Sequence, residues 1–159
     1  MKKGARAEEN QVVVTPRPFL DAVEGAFGRI VVDLAANVEN AVAPAYFGTG
    51  SHLGVDSLAA DWRAGAPGVR WLNPPFSDRS QPMHMWAKKC AEMRGKVGGP
   101  ILLLAPAAVC TVWFRTWVAP HAFVFELFPR VFGSQIRDCI LASYSPEGYR
   151  GRQPWDWQG

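Results

Sequence analysis

Two consecutive prolines directly after a β-prone run set the strongest constraint on this chain. Val69-Arg70-Trp71-Leu72 reads as a buried strand, and Pro74-Pro75 then removes two backbone donors and fixes two φ angles. The strand therefore stops at Asn73. Each proline also biases the residue before it toward extended geometry, so Asn73 and Phe76 bracket a stiff elbow whose carbonyls and side chains face set directions. A stiff elbow at the carboxyl end of a strand lies where open α/β sheets gather their ligand chemistry. Taken alone, Asn-Pro-Pro-aromatic is equally what an ordinary turn looks like.

The chemistry that fits the elbow is methylation of an exocyclic amine. Such a nitrogen is a weak nucleophile because its lone pair is delocalised into the ring, and two fixed acceptors on its hydrogens draw it toward tetrahedral geometry. The Asn73 side-chain oxygen and the Pro74 carbonyl are acceptors of this kind, and neither has to titrate. An aromatic residue after the prolines, Phe76, can stack on a base, which must leave the duplex to be reached. Asn73-Pro74-Pro75-Phe76 resembles the (D/N/S)-P-P-(Y/F) signature of the amino-group DNA methyltransferases that use S-adenosylmethionine, and it suits their N6-adenine members.

With 159 residues, of which 48% are hydrophobic, the chain can bury a real core and is most simply one domain. The apolar run from Pro100 to Val109 is too short to span a bilayer, and Met1-Lys2-Lys3 is not followed by an apolar signal core, so a soluble, cytoplasmic protein is expected. Cys90, Cys110 and Cys139 are odd in number and widely spaced, which predicts buried free thiols in place of a metal site or disulfide. The formal charge of +3 permits a polyanionic partner without demanding one.

Along the chain, residues 1–11 read as a flexible polar arm. Pro18 to Phe27 has apolar residues near helical spacing, with Thr15 as its expected N-cap, Pro16 as its first residue and Gly28 past its end. Arg29 to Leu34 is a continuous β run ending in an acid and followed by Ala35-Ala36, as expected of a first strand whose end lies under a nucleoside-like ligand.

Asp33, Ala35-Ala36, Glu39-Asn40-Ala41, Tyr46-Phe47, Asp56 with Leu58, Trp62, Trp71 and Asn73 to Phe76 follow the order found in small phage-type, Dam-like DNA N6-adenine methyltransferases. The resemblance covers residues 12–145. It implies a Rossmann-like class I methyltransferase fold, a mostly parallel sheet flanked by helices, in a single minimal domain. It also implies S-adenosylmethionine as cofactor, no required metal, and double-stranded DNA with a flipped base as partner. Asn73, Pro74, Pro75 and Phe76 are then catalytic, while Thr15, Pro16, Asp33, Ala35 and Asp56 line the cofactor side. Asp56 reads as readily as a turn residue or N-cap. The chain departs from the family at its first motif, where Ala35-Ala36-Asn37 replaces Gly-x-Gly. Adenosylmethionine has no pyrophosphate to cradle, which makes that loss less serious here than at a dinucleotide site.

Beyond the elbow, Ser77 and Arg79 lie in a polar loop and are candidate DNA contacts. Met83 to Met93 reads as a helix with Met83, Trp86, Cys90 and Met93 inward and Lys88, Lys89 and Glu92 outward; Lys89 could also meet phosphates. Ile101 to Pro106 should be a central parallel strand, residues 111–118 a helix, residues 122–127 a strand, and residues 138–144 the last strand. Arg130 resembles an arginine of the family that orders the base pocket or meets DNA, with a structural salt bridge equally open. Residues 146–159 read as an irregular tail whose Trp155 and Trp157 pack back or meet a partner. There is no room for a separate target-recognition domain, so weak specificity, a helper protein or a homodimer would follow. The same elbow also occurs in methyltransferases acting on RNA adenine, cytosine N4 or protein glutamine, and a non-catalytic DNA-binding module is the remaining alternative.

Overall fold

The computed structural model describes residues 14–135 and 137–159, so the arm expected at 1–11 falls outside the described residues. The architecture is mixed α/β. Strands β1 (Ile30–Asp33), β2 (Ala45–Tyr46), β3 (Val69–Leu72), β4 (Ile101–Pro106), β5 (Phe123–Phe128), β6 (Cys139–Tyr144) and β7 (Gly151–Asp156) form one sheet in the order β2-β1-β3-β4-β6-β5-β7. β2, β1, β3 and β4 run parallel to one another; β6 is antiparallel to both of its neighbours, and β7 is parallel to β5.

β4 shows why the sheet needs cover on both faces. All six of its residues are buried, and they alternate: Ile101, Leu103 and Ala105 join one apolar layer, Leu102 and Leu104 the other. Each fully buried leucine contributes roughly 1.5–3 kcal/mol relative to an exposed one. Helix α2 (Met83–Met93) covers the first face through Met83, Trp86, Ala87 and Cys90, joined by Phe114 and Val118 of a π-helical turn, Phe114–Val118. Helix α1 (Arg17–Phe27) covers the second through Phe19, Leu20 and Val23. No helix among the described residues is long and apolar enough to cross a membrane.

Three expectations need correction. Thr15 is not an N-cap: Pro16 holds that position without a side-chain cap, and Thr15 is buried against the end of β3. β6 is not the last strand, because the tail supplies β7. Its sequence is polar and carries Pro154, which is tolerated on an edge strand. Trp155 and Trp157 fold back onto Phe19, with ring centroids at 6.1 and 5.2 Å, and Trp157 Nε1 donates to the Pro129 carbonyl at 2.6 Å. Cys90 and Cys139 are buried, and burial pushes the Cys139 thiol up to about 12, but Cys110 is exposed.

Candidate functional site

From β1 the chain passes to β2 on one side and then to β3 on the other, so the strand order reverses between β1 and β3. In an open α/β sheet the crevice outside the carboxyl ends at such a reversal is the natural ligand site. Asp33 ends β1, and Asn73 follows the last residue of β3. The elbow therefore stands at an edge where chain topology opens a gap.

Asn73 and Pro75 line a cleft of about 250 Å³ together with Ala35, Ala36, Asn37, Asn40, Phe47, Gly48, Asp56, Ser57 and Gln81. A smaller recess beside it, also reached by Asn73, is bounded by Thr15, Asp33, Ala35, Val42 and Trp71. Pro74 is buried and Asn73 half-buried. The Asn73 amide is held across the fold: its Nδ2 donates to Thr15 Oγ1 at 3.0 Å. Phe76 is half-buried and packs against both apolar layers; it is not among the residues lining either cavity.

Asp33 is 3% exposed and acts beneath the cleft. Its Oδ1 accepts the Ala35 N–H at 3.2 Å and its Oδ2 the Val42 N–H at 3.0 Å, so the carboxylate pins both ends of the loop that forms one cleft wall. Burial pushes this carboxyl up to about 6, and the two donors partly offset that. Asp56 is exposed and also lines the cleft. Its Oδ1 accepts the Leu58 N–H at 3.1 Å, the turn role left open by the sequence, and Gln81 Nε2 approaches the same oxygen at 3.4 Å.

Two supporting residues escaped the sequence reading, and a third, Lys89, has another role than the one expected. Gly48, at φ +139°, lies so close to Ala36 that a Cβ would stand 1.7 Å from the Ala36 carbonyl oxygen. The loop without its Gly-x-Gly thus uses a glycine from the following segment, and the Gly48-Thr49-Gly50 triplet was the available signal. Ser57 is buried, and its hydroxyl donates to the Leu34 carbonyl while accepting Trp62 Nε1 at 3.0 Å. Lys89 points inward. Its Nζ donates to the carbonyls of Ser57 and Leu58, both at 2.8 Å, and to that of Ala60, and it sits 4.8 Å from the centroid of the Trp62 ring. Those bonds fix the turn that carries Asp56 and Ser57, and they correct the outward, phosphate-facing reading of Lys89.

The remaining candidates lie around this edge without entering the cleft. Ser77 and Arg79 are exposed in the loop after the elbow. Arg130 follows β5, whose carboxyl end lies on the same edge as Asn73, and its Nε meets Asp138 Oδ1 at 2.6 Å in an exposed ion pair. Pro16 is spent on α1, its carbonyl accepting the N–H groups of Phe19 and Leu20. The arrangement gathers small residues for close approach, amide and carboxylate groups on both walls, and a rigid elbow at one end. A family model described as DNA N-6-adenine-methyltransferase (Dam) matches residues 3–125. No curated protein and no solved structure matches the chain.

Proposed function

The chain belongs to the DNA N-6-adenine-methyltransferase (Dam) family, and from that premise we propose that it transfers a methyl group from S-adenosylmethionine to N6 of an adenine extruded from double-stranded DNA. The observation that carries this reading is the placement of Asn73: it directly follows strand β3 at the reversal of strand order and lines a cleft shared with Ala35 and Asp56.

The residues present suit the cofactor. Ala35 and Ala36 let backbone come close, the carboxylate of Asp56 suits hydroxyl groups, and Asn37, Asn40 and Gln81 add amides. When bound, S-adenosylmethionine supplies an electrophilic methyl on a sulfonium. Asn73 and the Pro74 carbonyl accept hydrogen bonds from the target amino group and stabilise the positive charge that grows on it. The half-buried ring of Phe76 offers its accessible part to the base. Asp33 lines the cofactor side and shapes it through Ala35 and Val42, and Thr15 and Pro16 close its edge.

A Rossmann-like class I fold is part of the proposal. It is supported by the parallel block β2-β1-β3-β4, by helices on both faces, and by site residues at the carboxyl edge. The catalytic domain is proposed to extend past residue 145 through β7, which joins the same sheet beside β5. Ser77, Arg79 and Arg130 are proposed to meet DNA phosphates from that same edge. Separate incubation of the protein and cofactor with DNA, RNA and glutamine-containing peptide, followed by mass spectrometry of the products, tests the reading. N6-methyladenine in the DNA hydrolysate is expected. Methylation of RNA, of cytosine N4 or of peptide alone, or no transfer at all, would overturn it.

A further inference from the structure

We propose that a second cavity, on the edge of the sheet away from Asn73, is a binding site for a nucleoside monophosphate. The cavity holds about 600 Å³, against about 250 Å³ for the cleft at Asn73, and lies within the range of about 300–1,000 Å³ common to small-molecule sites. It opens where the last turn of α1 meets β5, β6 and β7. Ser143 of β6 pairs with Leu102 near the start of β4 and with Phe123 at the start of β5, whereas Asn73 follows the carboxyl end of β3. The two sites share no residue, and the proposal does not rest on the methyltransferase reading.

Ser143 is the observation that points to a ligand. It is 6% exposed, yet among the described residues nothing hydrogen-bonds its hydroxyl. Ala142 and Tyr144 belong to the α2 layer, so the two-residue period of a strand turns Ser143 to the α1 side, where it lines the cavity. Its oxygen is not sealed in protein, and the little of it that solvent reaches opens onto that space. An apolar group seated there would shut the hydroxyl away from water without a partner, which is costly. A ring with nitrogen or oxygen at its edge would satisfy it.

The walls suit such a ring. Phe27, Phe123 and Phe125 are half-buried, with centroids 5.5 Å apart for Phe27 and Phe125 and 5.1 Å apart for Phe123 and Phe125. Aromatic clusters of this kind take a further planar ring by offset or edge-to-face contact. Phe123 lies over Gly151, where a Cβ would stand 2.9 Å from the ring, so β7 carries no side chain that would lift the ring off the sheet. Gln153, paired with Phe125, adds an amide beside the rings. Arg150 and Glu147 line the same cavity, are exposed, and enter no ion pair among the described residues. The guanidinium suits a phosphate and the carboxylate suits sugar hydroxyls. A nucleotide brings ring, hydroxyls and phosphate together in one molecule.

The test follows backbone amide signals of the full-length chain by NMR as each common nucleoside monophosphate, inorganic phosphate or a short single-stranded oligonucleotide is added. Saturable shifts at Ser143 and Gln153 are expected with at least one monophosphate, at a Kd of about 1 mM or tighter. Arg150→Ala should weaken that binding about tenfold and Ser143→Ala about threefold. Arg150 is exposed, so its variant keeps the fold and remains informative if Ser143→Ala does not fold. Tighter binding of the oligonucleotide at the same signals would assign the nucleotide to a nucleic-acid strand, and binding of monophosphates alone would assign a free metabolite; either supports the site. No saturable shift, shifts confined to Ala35, Asn73 and Asp56, an equal response to inorganic phosphate, or unchanged affinity in either folded variant would overturn the proposal.

Discussion

The elbow and the rest of the cleft reach rigidity by different routes. At Asn73 to Phe76 stiffness is local, because two prolines restrict the backbone whatever surrounds them. The rest of the cleft, supported by Asp33, Gly48 and Ser57, has no such covalent constraint. It is held by contacts between residues far apart in the chain: Asp33 to Val42, Ser57 to Leu34, Lys89 to Ser57, Leu58 and Ala60, and Gly48 against Ala36. One side of the site should therefore be damaged by changing its chemistry, the other by changing its packing.

The largest separation is expected from Asn73→Ala. Losing one preorganised acceptor should slow methyl transfer by about a hundredfold or more, with the affinity for S-adenosylhomocysteine measured by calorimetry near that of the parent. If affinity and rate fell together, the two halves of the site would not be separable. Gly48→Ala should do the reverse. Its Cβ would meet the Ala36 carbonyl oxygen at 1.7 Å in a backbone region that side chains rarely adopt, which costs about 3 kcal/mol. A lower Tm and weaker cofactor binding should follow.

A pH titration sharpens the contrast further, since Asn73 and Pro74 do not ionise in the working range and Asp33 does. The Asp33 carboxyl stands at about 6 in the folded chain against an ordinary value of 3.8. Between those values the folded protein holds a proton that the unfolded chain has released. The contribution of this group to stability is therefore most favourable near pH 4 and below, and it is lost as pH rises through 6, by up to about 3 kcal/mol. Denaturant midpoints measured across pH 4–7 should carry this slope in the parent and lack it in Asp33→Asn. The smallest effect is expected for Lys89→Met. It keeps the apolar stem beside Trp62 but leaves three carbonyl groups without their donor, which costs about 2 kcal/mol. The salt dependence of DNA binding should not change, because Lys89 points inward; a reduced slope would restore it as a phosphate contact.

The same contrast explains what could be read from the residues alone. Proline acts on its own backbone, so the end of β3 and the elbow were visible as a motif. The β4 run and the helical spacing of Met83, Trp86 and Cys90 were visible because burial leaves a periodic mark. The Thr15–Asn73 bond leaves none: Thr-Pro before a helix looks like a cap, and only the packing of α1 on β3 turns the hydroxyl to another use. Lys89 looks like a solvated lysine because helical periodicity assigns charge outward, whereas its stem is long enough to reach carbonyls inside. β7 was hidden for a related reason. Gly-Arg-Gln-Pro-Trp-Asp has little β character, and it is a strand because β5 presents an open edge and Trp155, with Trp157 just beyond the strand, finds Phe19, Phe27 and Phe125.

A crystal structure of the full chain with S-adenosylhomocysteine and a short adenine-containing duplex would examine the shared cleft most directly. The adenosyl group should lie between Ala35 and Asp56, with an unstacked adenine whose N6 is within hydrogen-bond distance of Asn73 Oδ1 and the Pro74 carbonyl. A cofactor seated away from Asn73, or an adenine left in the duplex with the elbow turned from it, would contradict the proposed chemistry.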